Sequence, residues 1–335
     1  MDIKLEIEPL ENWGVDATRP LIVSGPCSAE TEEQMIQTAK GLKSHGVGIF
    51  RAGIWKPRTR PNQFEGVGSI GLKWLREVKK DTGMLTATEV ANVKHVYEAL
   101  KMGVDILWIG ARTSANPFSI QEIADALEGV DIPVFVKNPV NPDLELWIGA
   151  IERIAGAGIT KLAAIHRGFS SSEKTIYRNA PKWEIVIELR QRIKNLPVIC
   201  DPSHIAGRAD LVFSVSQQAM DLGQDGLIIE SHPNPKAALS DCKQQITPEE
   251  VGELIKKLVI RADSIDNPSY TALLMDLRSK IDTFDDEILS AVQKRMNVVK
   301  EIGKTKKENN VQILQSNRWT EVIESAKEKG NSKGL

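Results

Sequence analysis

Short runs rich in Val and Ile alternate with longer stretches in which apolar residues recur every three or four positions, and this alternation persists across most of the chain. Such a pattern belongs to repeated βα units that feed a parallel sheet. Eight strand candidates can be picked out, from LIVSG at 21 through VGIFRA, MLTATE, DILWIG, PVFVK, KLAAIH and PVICD to DGLIIE at 225. A helical pattern follows each. In KWEIVIELRQRIKNL, for example, Trp183, Ile187, Arg190 and Ile193 are spaced as one buried helix face requires. Eight units closing on themselves favour a (β/α)8 barrel, the TIM-barrel class of α/β fold, because eight strands give a lumen that inward side chains just fill. The strand-like IKLEIE near the N-terminus is expected to cover the barrel's N-terminal mouth.

The pattern changes after the eighth helical stretch, PEEVGELIKKLV from 248. The polar run RADSIDNPSYT contains an Asn-Pro pair that discourages helix continuation. A barrel over 1–262, a linker over 263–271 and an all-helical extension over 272–335 are therefore expected. In the extension, Leu274, Leu277, Ile281, Phe284, Ile288, Val292, Val299 and Ile302 keep helical spacing for some thirty residues, a helix of ~45 Å at 1.5 Å per residue. One helix cannot bury its own stripe, so more helices must cover it, from this chain or from another copy. A homodimer or higher homo-oligomer is the expectation.

Composition changes this picture little. The 335 residues suit one barrel of about 250 residues plus an addition. With 41% hydrophobic and 26% charged residues the chain can bury a sizeable core. A formal charge of −2 without a dominant Lys/Arg block argues against nucleic acid or an anionic membrane as partner. No signal peptide opens the chain and no apolar run approaches the ~20 residues of a membrane span, so a cytoplasmic protein is expected. Three cysteines, Cys27, Cys200 and Cys242, form no paired framework and suit a reducing compartment.

The strand ends hold the candidate chemistry. Cys27, His204, Glu230 and Asp241 each follow an apolar run, and a barrel brings the C-terminal ends of its strands to one rim, where they could grip one divalent cation. A thiolate, an imidazole and carboxylates together accept Mn, Fe, Co or Zn. Structural zinc prefers closed Cys/His shells, so this set reads as catalytic. The same rim is cationic. Arg51 closes the second strand, IWKPRTRP supplies Lys56, Arg58, Thr59 and Arg60, Arg112 follows the fourth strand, Lys137 ends the fifth and Arg167 follows the sixth; Glu89 ends the third. Guanidinium forks match phosphate and carboxylate oxygens, so a small, phosphorylated, anionic substrate is implied.

GPCSAE, FRAGIWKPRT, IGARTS, VKNP, HRG, DPSH and IIESH, in this order, resemble the metal-dependent 3-deoxy-D-arabino-heptulosonate 7-phosphate (DAHP) synthases over roughly residues 20–260. That resemblance implies a condensation of phosphoenolpyruvate with erythrose 4-phosphate that opens the shikimate pathway of aromatic amino acid biosynthesis. It makes Cys27, His204, Glu230 and Asp241 the metal ligands, with Mn2+ the typical ion and Fe2+, Co2+ or Zn2+ as alternatives. It places the phosphoenolpyruvate phosphate near Arg112 and Arg167, its carboxylate near Arg51, Lys56 and Lys137, and the aldose phosphate near Arg58 and Thr59. Lys137 becomes a candidate proton donor or acceptor and Glu89 a candidate to position water, while His232 is expected beside the ligands rather than among them. The sister 3-deoxy-D-manno-octulosonate 8-phosphate synthases usually read Lys-Ala-Asn-Arg where Lys56 to Thr59 read Lys-Pro-Arg-Thr. A regulatory metabolite-binding protein without turnover is the alternative of another class, and the intact ligand set argues against it.

The stretch LRSKIDTFDDEILSAVQKRMNVVKEIGKTK resembles the first helix of the all-helical chorismate mutases. Arg278, Arg295, Lys306 and, in QSNRW, Arg318 fall on that family's substrate-binding cations, so chorismate or prephenate is an implied ligand. Trp319 and Gln315 depart from that family's acidic positions. A third mutase helix is missing from the sequence read here, so the expectation is weak or absent mutase activity and a dimerising or allosteric role.

Overall fold

Eight parallel strands pair in the order of the sequence and close, the last against the first. They are β1 (Leu21–Gly25), β2 (Ile49–Arg51), β3 (Leu85–Val90), β4 (Ile106–Ile109), β5 (Val134–Lys137), β6 (Leu162–His166), β7 (Val198–Cys200) and β8 (Gly226–Glu230). In this computed structural model residues 2–15, 20–56, 62–262 and 265–334 are described. The closing pair runs in register from Leu21 opposite Gly226 to Gly25 opposite Glu230. Strands β4 to β8 are buried along their whole length, as a parallel sheet covered on both faces must be.

Around the sheet lie α1 (Glu32–Ser44), α2 (Ile70–Thr82), α3 (Val93–Lys101), α4 (Pro117–Leu127), α5 (Leu144–Gly156), α6 (Trp183–Arg192), the single-turn α7 (Pro202–Ala206), α8 (Val212–Asp221) and α9 (Pro248–Lys257). Local sequence sets where many of them begin. Thr31, Asn92, Asn116, Asp143, Asp201 and Thr247 each accept a first-turn backbone N–H through the side chain. Proline follows in α4, α7 and α9, where its missing N–H costs nothing. On α6 the buried face is Val186 and Leu189, continued by Ile193, whereas Ile187 is 43% exposed. The expected Trp183–Ile187 register is thus off by one position. Trp183 fits either stripe, so spacing alone did not separate them.

Two apolar layers hold the barrel. The outer one lies between sheet and helices, and the inner one fills the lumen with Val23, Ile49, Ile106, Trp108, Phe135, Ile165 and Ile228. Trp13 joins the inner layer, stacked on Phe135 at 6.1 Å between ring centroids. The N-terminal mouth is therefore covered, as expected, but not by a strand. Residues 2–9 are irregular, tied down by Ile3 N–H to Arg192 O (2.7 Å) and Glu8 N–H to Thr160 O (2.9 Å), and a 3-10 turn at Leu10–Trp13 delivers the indole. Alternation of Ile and Leu in IKLEIE reflects packing of Ile3, Leu5 and Ile7 against the outer layer.

The chain divides into two compact units, 1–263 and 264–335. The second consists of α10 (Pro268–Glu308), 41 residues long, and α11 (Ser316–Ser332). Helix α10 starts earlier and runs longer than its apolar stripe predicted, because Asn267 caps it and Pro268 occupies its first turn. Its stripe, including Leu277, Ile281, Phe284 and Ile288, is 47–60% exposed. Among the described residues no helix is long and apolar enough to cross a membrane.

Candidate active site

Strand β1 ends at Gly25, where a Cβ would lie 2.0 Å from Arg51 O, so only glycine allows β2 to approach this closely. Two residues on, buried Cys27 turns its Sγ to 3.5 Å from Asp241 Oδ2. The donor atoms of Cys27, Glu230 and Asp241 all lie within 4.8 Å of one another. His204, on α7, completes the group from one side, with Nε2 3.8 Å from Glu230 Oε1 and 3.9 Å from Asp241 Oδ2. Its Nδ1 donates to Asp201 (2.9 Å to Oδ1), which turns Nε2 toward Glu230 and Asp241.

Charge around this cluster is densely compensated. Arg51 Nη1 donates to Glu230 Oε1 (3.0 Å), and Gln244 Nε2 donates to Glu230 Oε2 (2.7 Å). Lys56 Nζ reaches Cys27 O (2.9 Å) and Cys27 Sγ (3.2 Å). Burial opposes ionisation of Glu230 and Asp241, yet His204 with Arg51 or Arg178 outweighs it and holds both carboxyls below their usual range. Burial also works against the Lys56 ammonium, but Cys27, Glu89 and Glu230 prevail and raise its pKa. The Cys27 thiol behaves differently: burial first, then the Glu230 charge, pushes it up to about 12. A thiol so placed ionises readily only when a further cation sits beside it. Four converging donors of mixed softness, one with its tautomer set by a carboxylate, fit a divalent transition ion.

The cationic residues extend along the same rim. Arg51 lies over the Trp108 ring at 4.7 Å and Lys137 Nζ at 5.9 Å, while Trp108 Nε1–H donates to Glu89 Oε2 at 2.9 Å. Lys137 pairs with buried Asp201 at 2.8 Å. Arg167, 9% exposed, donates to Asn179 Oδ1 (2.8 Å); burial pushes its guanidinium down to about 10, still charged at neutral pH. Arg112 is exposed in the loop after β4. Arg58 and Thr59 lie outside the described residues. His232 is not one of the three clustered donors, and its Nε2 lies 3.6 Å from Glu30 Oε2.

Several residues at the site escaped sequence reasoning. Asp201 had a visible signal, since an N-cap Asp followed by Pro and, at the third position, His places carboxylate and imidazole over one turn. Trp108 read as one more apolar strand residue. Gln244 and Arg178 lie in irregular segments and carried no signal. In the second unit Lys306 Nζ donates to Ile313 O (2.9 Å) and Arg318 to Glu321 (2.9 Å). Arg278 and Arg295 sit seventeen residues apart on α10, ~25 Å of helical rise, so within one chain they do not converge on one small ligand.

The sequence matches the DAHP synthetase I family over residues 8–264 and the chorismate mutase type II family over residues 277–335. A phospho-2-dehydro-3-deoxyheptonate aldolase from Thermotoga maritima is 36% identical over 244 residues, 73% of this chain and 70% of that protein. A 2-dehydro-3-deoxyphosphooctonate aldolase from Desulfotalea psychrophila is 29% identical over 262 residues, 71% of this chain and 88% of that one. Among solved structures, the phospho-2-dehydro-3-deoxyheptonate aldolase (DAHP synthase) of Thermotoga maritima gives a TM-score of 0.65 at 34% identity, covering 72% of this chain and 71% of that chain.

Proposed function

The chain belongs to the DAHP synthetase I family, and from that premise we propose how its rim performs the family's reaction. Phosphoenolpyruvate, erythrose 4-phosphate and water give DAHP and inorganic phosphate. DAHP synthases generally use a divalent metal. Cys27, His204, Glu230 and Asp241 would hold it, Mn2+ before Fe2+, Co2+ or Zn2+, and the bound ion supplies Lewis-acid polarisation of the aldehyde.

Arg51, Lys56 and Lys137 hold the phosphoenolpyruvate carboxylate, and Arg112 with Arg167 holds its phosphate. Arg58 and Thr59 take the aldose phosphate. These cations keep two like-charged substrates within bonding distance, which removes much of the entropic part of the barrel's task. The enol carbon attacks the aldehyde, water adds at the neighbouring carbon, and phosphate leaves from the resulting hemiketal. Lys137, held by Asp201 at 2.8 Å, moves a proton during these steps, and Glu89, fixed by the Trp108 N–H, positions the water. The observation that carries this reading is the convergence of three donor groups within 4.8 Å beneath Arg51 and Lys56.

Relatives named for the octulosonate aldolase activity share the barrel at lower identity, 29% against 36%. The Lys-Pro-Arg-Thr segment at 56–59 also favours erythrose 4-phosphate over arabinose 5-phosphate. The two families together imply chorismate-related ligands beside the synthase substrates. For the second unit we propose a homodimer in which α10 of another copy covers the exposed stripe and brings Arg278 toward a partner's Arg295, so that chorismate or prephenate can regulate the synthase. As a biosynthetic enzyme it is placed in the cytoplasm.

Phosphate release from phosphoenolpyruvate, with erythrose 4-phosphate or arabinose 5-phosphate, measured after chelation and again after adding Mn2+, tests the reading. Metal-restored turnover with erythrose 4-phosphate alone is expected. Preference for arabinose 5-phosphate, or turnover indifferent to chelation, would overturn it.

A further inference from the structure

We propose that Arg178 and Asn179, in the connection between β6 and α6, form a brace that orients the donors Asp241 and Glu230 through Arg178 and the phosphate-binding Arg167 through Asn179. The inference deepens the proposed function and rests on its assignment of the donors and of Arg167. Neither residue lies in a motif that led to the site.

The backbone of this pair is fastened to the turn that carries His204. Arg178 N–H donates to Ala206 O (3.3 Å) and Asn179 N–H to Ile205 O (3.2 Å). The pair can lie so close because residue 207 is a glycine with φ 68°; a Cβ there would come within 2.3 Å of Arg178 Cβ.

From this seat Arg178 Nη1 makes two bonds, to Asp241 Oδ1 (3.0 Å) and to Gln244 Oε1 (2.8 Å). The first engages the outer oxygen of Asp241 and leaves Oδ2 directed at Cys27 Sγ and His204 Nε2. Asp241 has φ 46°, a left-handed conformation unfavourable for a residue with a Cβ, so its loop needs an external hold. The second bond decides which way the Gln244 amide points. With Oε1 toward the guanidinium, Nε2 faces Glu230 Oε2 at 2.7 Å; a flipped amide would set oxygen against carboxylate. One exposed cation thereby aims the buried Glu230 and the half-buried Asp241.

Asn179 repeats this logic on the other side. Its Oδ1 accepts from Arg167 Nη1 (2.8 Å) while its Nδ2 donates to His204 O (2.6 Å), so its amide is locked between a cation and a carbonyl. Stability is a poor explanation for Arg178, because its side chain is 49% exposed and an ion pair so placed contributes little. Orientation remains.

The test measures Co2+ affinity of the full chain by chelator competition, with the cobalt–thiolate absorption as reporter, together with KM for phosphoenolpyruvate at saturating Mn2+ and melting temperature. Arg178→Met should weaken Co2+ binding about 10- to 100-fold with little change in melting temperature, as loss of a group that orients metal ligands does. Arg178→Lys, which keeps a charge for Asp241 but not the fixed directions of the two Nη1 N–H bonds, should fall between. Asn179→Ala should do the converse, raising KM about tenfold with Co2+ affinity changed less than threefold. Wild-type Co2+ affinity in Arg178→Met would overturn the brace, as would parallel loss of both readouts in both variants. Failure of the wild-type chain to bind Co2+ through a thiolate would instead overturn the assignment of the donors.

Discussion

Asp201→Asn separates two jobs that one buried carboxylate performs. Asp201 is fully buried, accepts Lys137 Nζ at 2.8 Å through Oδ2, and accepts His204 Nδ1 at 2.9 Å and His204 N–H at 3.0 Å through Oδ1. Burial opposes its charge, but His204 and Lys137 overcome this and hold the carboxyl well below its usual range. Asparagine can accept from only one side. If its oxygen serves Lys137, its NH2 replaces the Oδ1 that faces His204 N–H and Nδ1, and only the shared oxygen, 2.8 Å from Nδ1, is left to hold the ring, so Nε2 is aimed less firmly at the donor cluster. Metal affinity should fall by about 10- to 100-fold, near 1.4 to 2.8 kcal/mol. Lys137 meanwhile loses its counter-charge, and removing one partner of a buried pair costs roughly 3 to 5 kcal/mol. At about 2 to 4 °C per kcal/mol for a domain this size, the melting temperature should drop by about 6 °C or more. Chelator competition, calorimetry and steady-state kinetics read the three effects separately. The pH dependence has a fixed sign. A depressed carboxyl adds stability above its unfolded pKa that disappears as pH falls through its folded value, so the variant should lose part of the wild-type acid limb. An Asp201→Asn protein with wild-type metal affinity and an unchanged melting temperature would refute the reasoning.

Three further outcomes are expected. Trp13→Ala should lower stability by about 3 to 5 kcal/mol in denaturant unfolding while leaving kcat nearly unchanged, since the indole fills the lumen at the mouth opposite the rim. Because the metal-free Cys27 thiol is pushed up to about 12, metal binding should release a proton and tighten about tenfold per pH unit through neutrality, visible by calorimetry in buffers of different protonation enthalpy. Lys137→Met should reduce kcat by ~100-fold or more at saturating substrates; near-normal turnover would remove the residue from proton transfer.

The barrel was legible because its evidence is repetitive: eight Val/Ile-rich runs with a helical pattern after each leave few other topologies, and each of the eight is a strand. Cys27, His204, Glu230 and Asp241 were legible for a related reason, as each sits immediately beyond such a run or in the loop after it, so topology alone convened them. The orienting residues were not. Gln244 matters through an amide whose direction Arg178 sets, and no spacing rule connects positions 178, 230 and 244. Trp108 hid because an indole that packs the lumen on one side and presents its N–H to Glu89 looks in sequence like any apolar strand residue. At the N-terminus, alternation of Ile and Leu was read as a strand, although the same period serves an irregular segment laid across helices.

The register of β1 on β8 makes the rim a clasp as well as a workplace. Gly25 stands opposite Glu230, so the first donor strand and the last become neighbours only when the ring shuts, and Cys27 meets Asp241 across 214 positions of chain. Contacts at such separation form late, after the intervening loops have surrendered their freedom. An ion gripped from both sides of that seam would bind the shut ring and not the open one, so free metal should stabilise closure with the logarithm of its concentration over its dissociation constant. The proposed metal site would then also report that the last strand has found the first.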